Sequence, residues 1–72
     1  MNEQRIVVDP DILGGTPVFR GTRVPVRILF QHLEAGDSID VFLQDFPSVS
    51  RELAVAVLED ARAAVAPDAH PA

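Results

Sequence analysis

Ser38-Ile39-Asp40-Val41-Phe42-Leu43-Gln44-Asp45-Phe46-Pro47-Ser48-Val49-Ser50 is the stretch on which the fold turns. Ile39, Phe42, Leu43 and Phe46 recur at i, i+3, i+4 and i+7, the spacing of one helical face, while Asp40, Gln44 and Asp45 fall on the other. Ser38 supplies a hydroxyl that accepts from a first-turn N–H, and Pro47 stops the helix after two turns. Ser50 caps the next helix, which reaches about Val65; Leu53, Val57, Ala61 and Ala64, flanked by Ala54 and Leu58, form its apolar stripe. Reading backwards, Gly36 suits the position just past the end of an earlier helix, about Pro25 to Ala35. Pro25 fits its first turn, where a missing N–H costs nothing, with Thr22 or Arg23 near the cap. There Val26, Leu29, Phe30 and Leu33 share one face, Arg27, Gln31 and Glu34 another, and Ile28 and Ala35 lie outside both.

Upstream, Ile6-Val7-Val8 is a β-branched run stopped by Asp9-Pro10, and Gly14-Gly15 permits a positive-φ turn before Pro17-Val18-Phe19. Gly21-Thr22 offers a second turn. The expected fold is therefore mainly α: a short N-terminal β-hairpin or arm (1–24) followed by a trihelical helix-turn-helix-like domain. One domain spans 1–66, and the tail 67–72 should fray. A hairpin alone is marginal, so the arm must pack on the helices or on a second chain.

Seventy-two residues allow one domain, and a chain of this size buries only about 60 % of its unfolded surface. The four aromatic residues are all Phe, so the core is aliphatic plus Phe19, Phe30, Phe42 and Phe46. With no cysteine there is neither a disulfide framework nor a thiolate metal site. No apolar run approaches the roughly 20 residues of a membrane span. The opening Met1-Asn2-Glu3-Gln4-Arg5 lacks the basic-then-apolar order of a secretory signal. A cytoplasmic location and no membrane partner are the expectation.

The net charge of -5 argues against a free-standing nucleic-acid binder, yet the charge is unevenly distributed. Residues 1–27 hold four Arg against three acids, residues 28–72 two Arg against eight. Between Ile12 and Leu33 there are three Arg (Arg20, Arg23, Arg27) and no acid. One positive patch sits on an acidic protein.

Asp9-Pro10-Asp11-Ile12-Leu13-Gly14-Gly15-Thr16-Pro17-Val18-Phe19-Arg20-Gly21-Thr22-Arg23-Val24-Pro25-Val26 resembles the signature of a small bacterial and archaeal family catalogued as domain of unknown function four-three-three. Ala35-Gly36-Asp37-Ser38-Ile39 and Phe46-Pro47-Ser48-Val49-Ser50 are similar to that family's second half, so the resemblance covers about residues 5–62. It implies a helix-turn-helix-related fold and a role as antitoxin to a PIN-like ribonuclease toxin encoded alongside.

Against that background Arg20, Arg23 and Arg27 are the leading partner-binding candidates, because guanidinium groups near the start of a helix can converge on a carboxylate cluster. The alternative is that they pair with Asp9, Asp11 or Glu34 on the domain's own surface. Ile28 and Val55, pointing away from their helices' core stripes as Ala35 and Val41 also do, are candidates for a protein contact, in a homo-oligomer or with the toxin. Ser48, Ser50 and Arg51, with Glu52, stand where a helix-turn-helix presents its reading helix to operator DNA; only Arg51 can make the bidentate contact to guanine. Stand-alone DNA-binding regulation and a non-catalytic dimerisation module are the competing functions.

No enzyme is expected. His32 and His70 are far apart with no third ligand nearby, and His32 reads as a half-exposed helix residue. The glycines match neither a P-loop nor a dinucleotide fingerprint, so no nucleotide, metal, cofactor or small-molecule substrate is expected.

Overall fold

The computed structural model describes residues 4–67. Its elements are β1 (Ile6–Val7), a 3₁₀ turn (Leu13–Gly15), β2 (Val18–Phe19), α1 (Val26–Glu34), α2 (Ile39–Asp45) and α3 (Arg51–Val65). The architecture is the predicted one, a β-hairpin followed by three helices arranged like a helix-turn-helix domain. His70 and most of the predicted tail lie outside the described residues.

β1 and β2 pair antiparallel, Ile6 opposite Phe19 and Val7 opposite Val18. Two-residue strands do not hold themselves, and three attachments anchor this pair. Phe19 is fully buried among residues of all three helices. The Val26 N–H donates to the Pro17 carbonyl at 2.9 Å and the Phe19 N–H to the Val24 carbonyl at 3.0 Å. Finally, the Arg5 guanidinium donates through Nη1 to both carboxylate oxygens of Asp60 on α3, each at 3.0 Å.

Between the strands the Asp9 carboxylate accepts from the Asp11 N–H at 2.9 Å, and the chain then passes through three consecutive positive-φ residues, Leu13, Gly14 and Gly15. Gly14 and Gly15 do this without penalty; Leu13, at φ 49°, is the one non-glycine among the described residues in that region. A left-handed L-residue costs on the order of 1–2 kcal/mol.

The start of α1 differs from expectation. Pro25 is its cap residue rather than its first helical residue, and no side chain caps the helix. Thr22 serves the preceding turn instead: its hydroxyl donates to the Phe19 carbonyl at 2.8 Å and accepts from the Val24 N–H at 3.0 Å. An orphan donor at the start of the helix is satisfied by the arm, through Pro17, so the hairpin acts as the cap. At the other end Gly36, at φ 88°, closes a Schellman turn in which the Gly36 and Asp37 N–H groups donate to the carbonyls of Leu33 and His32. Ser38 and Ser50 cap α2 and α3 as expected, accepting from the N–H groups of Val41 and Leu53.

The core cluster is Phe19, Val26, Leu29, Phe42, Val49, Ala54 and Val57, with Ile39, Leu43, Phe46, Leu53 and Leu58 packed against it. Two stripe positions differ. Leu33 is 36 % exposed and Ala64 is exposed. In α1 the buried arc centres on Leu29 and takes in Ile28, which packs on the core instead of facing away from it. In α3, about 22 Å long at 1.5 Å per residue and longer than α1 and α2, Ala64 and Val65 of the last turn are exposed.

Candidate interaction site

The cations among the described residues fall into two groups. Arg5 pairs with Asp60, Arg51 with Asp40 on α2, and Arg62 with Glu59 at 3.2 Å. His32 joins α1 to α2. Its Nε2 stands 3.1 Å from the Asp45 carboxylate and its Nδ1 3.0 Å from the Ile28 carbonyl, so both ring nitrogens face acceptors, the arrangement of an imidazolium. The ring also meets Phe42 and Phe46 edge-on, at centroid distances of 5.5 and 5.9 Å. The hydrogen bond to Asp45, then the Ile28 carbonyl, raise the His32 pKa above its ordinary 6.5. The sequence reading of His32 as a half-exposed helix residue missed this bridge, which depends on how α1 packs on α2.

Arg23 and Arg27 form the second group. Both side chains are exposed, and among the described residues neither has an ion-pair partner; Asp9, Asp11 and Glu34 do not engage them. Arg20 is exposed but engaged within the chain. The three arginines of the acid-free window therefore do not behave alike.

Each of the two uncommitted arginines borders an apolar concavity. Arg23 lies beside a groove of about 590 Å³ lined by Val7, Ile12, Val18 and Val24, with Gly21, Thr22 and Ser48 completing it. Arg27 lies beside a smaller one, about 290 Å³, formed by Thr16, Pro17, Val26 and Phe30. The first groove spans the arm and the turn between α2 and α3. It thereby brings together Arg23 and Ser48, which the sequence assigned to different tasks, and the apolar floor that completes the site was not foreseen. The signal for that floor is the β-branched composition of Val7, Val18 and Val24; the sequence reading took Val7 as part of a strand and gave Val24 no role.

The remaining candidates scatter. Ile28 is half-buried against the core, whereas Val55 and Val41 are 42 % and 38 % exposed on α3 and α2. Ser50 is occupied by its cap hydrogen bond and Arg51 by Asp40, although both are exposed at the start of α3. The described residues contain no group of three His, Cys, Asp or Glu able to hold a metal, and no described helix is long and apolar enough to cross a membrane.

An uncharacterised protein of Sinorhizobium fredii, y4eO, is 49 % identical over 47 residues, a stretch that is 65 % of this chain and 21 % of that protein. The chain thus matches about a fifth of the relative's length. No solved structure matches. The model of the family described as "Protein of unknown function (DUF433)" matches residues 6–65. Most of the chain, from the arm to the end of α3, lies within that match, and the chain belongs to the DUF433 family.

Proposed function

We propose that this chain is a non-catalytic binding protein that neutralises a PIN-like ribonuclease toxin by direct contact. The observation that carries the reading is the pair Arg23 and Arg27, exposed beside apolar grooves and without acidic partners among the described residues. A nuclease that holds metal ions with clustered carboxylates presents the complementary charge, and a guanidinium is the side chain best suited to bidentate carboxylate contact. The resemblance of residues 9–26 to the DUF433 signature, which implies an antitoxin role, points the same way. Co-expression with the protein encoded beside it tests the reading: a neighbour that is toxic alone, and silent in a co-purifying complex, supports it. Failure to form a complex, with unchanged growth, rejects it.

Operator binding is the second reading, favoured by the exposure of Ser48, Ser50 and Arg51 around the start of α3. It requires Arg51 to leave Asp40, and it places Glu52 beside phosphate. A promoter-binding assay across salt concentrations decides it, since phosphate contacts release counterions and must weaken as salt rises. Salt-independent retention of the promoter is incompatible with that mode.

A further inference from the structure

The two faces of the arm have different fates. Phe19 enters the core cluster, whereas Val18, its neighbour in β2 and only 1 % exposed, stands outside that cluster. Val18 instead floors the groove it shares with Val7, Ile12 and Val24, bordered by Arg23 and the exposed Ser48. An aliphatic floor beside one uncommitted guanidinium is a compound receptor, with apolar area for one side chain and a charge for the next.

We propose that this groove receives a short acidic-aliphatic segment of a partner protein, an Asp or Glu carboxylate pairing with Arg23 while an adjacent aliphatic side chain covers Val7, Ile12 and Val24 over the buried Val18. Charge complementarity selects this occupant. No acid lies between Ile12 and Leu33, so no carboxylate of that segment competes for Arg23. Nucleic acid fits poorly, because single-stranded binders stack bases on aromatic rings and track the backbone with several cations. This groove has aliphatic walls and one arginine. The proposal rests on the chain binding a protein, but does not require that protein to be a nuclease.

The test uses the full chain, labelled with nitrogen-15, titrated with a blocked peptide of sequence Val-Leu-Asp-Leu-Val and with its Asn counterpart. Shifts should concentrate at the amides of Val7, Val18, Arg23, Val24 and Ser48, and the Asn peptide should bind about tenfold more weakly, as should Arg23→Gln with the Asp peptide. Arg62→Gln, which removes the same charge from α3, should bind as wild type does. Absence of shifts at the groove, equal binding of the two peptides, or groove shifts arising from self-association without peptide would each overturn the proposal. The two readings also separate from each other. Peptide binding without a complex with the neighbouring gene product keeps the groove and rejects the antitoxin function. A neutralising complex indifferent to Arg23→Gln, with no peptide binding, does the reverse.

Discussion

The helical part of this molecule and the segment that leads into it handle charge in opposite ways. On α1, α2 and α3, His32, Arg51 and Arg62 each meet an acid of their own chain, and Arg5 reaches across to α3 for the same purpose. On the stretch from the second turn into the first turn of α1, Arg23 and Arg27 meet none among the described residues. Surface ion pairs are worth little to stability, typically about 0–1 kcal/mol. What the pairing does on the helices is place each of these cations against a carboxylate of the same chain. Arg23, at the end of the arm, and Arg27, in the first turn of α1, stay available beside apolar ground, so the free positive charge is confined to one short stretch of the sequence.

The buried and capped positions of the helices should therefore respond to mutation chiefly in stability, and Arg23 and Arg27 chiefly in binding. The largest stability effect is expected from Phe42→Ala, which empties the fully buried site where Phe19, Phe46 and His32 meet; a loss of about 3–5 kcal/mol should appear in chemical denaturation. Wild-type stability for this variant would break the comparison at its base. Ser50→Ala, removing the hydroxyl that accepts from the Leu53 N–H, should cost about 1 kcal/mol by the same assay.

The His32 bridge gives a pH signature. Its pKa is raised in the folded state, chiefly by Asp45, so its contribution is fully present below 6.5, the unfolded value, and is lost as pH rises through the folded value. Melting temperatures should therefore fall from the acidic to the alkaline side of that window, and His32→Gln should flatten the slope. A slope that survives in the variant assigns the effect to another group. The smallest stability effect belongs to the double variant Arg23→Gln with Arg27→Gln, within about 0.5 kcal/mol of wild type. A clearly larger loss would mean that these arginines belong to the fold after all.

Much of this was legible in the sequence, for reasons that differ by element. The α2 stripe of Ile39, Phe42, Leu43 and Phe46 and the serine caps depend on neighbours within one or two turns, and the structure reproduces them. The start of α1 was misjudged because its cap is not local: the Pro17 carbonyl, brought in by the hairpin, takes the place assigned to Thr22 or Arg23. Ile28 was misjudged because helical spacing defines a stripe but not its width, which is set by what packs on either side. As for the candidate site, composition revealed the acid-free window, yet not that Arg20 is engaged while Arg23 and Arg27 are not. Nor could it reveal the valine-floored groove, which exists only because Val7 and Val18 are paired in register and Val24 folds back beside them.

Arg5 and Asp60 are separated by 55 positions in the chain, yet they meet through two hydrogen bonds of 3.0 Å. In mechanical terms this is a clasp that short-circuits the domain. Tension applied across the two ends of the domain would arrive at the arm and at α3. The exposed ion pair carries that load first. Only after it parts does force reach Phe19 and the apolar interior, so the domain yields at its rim before its centre.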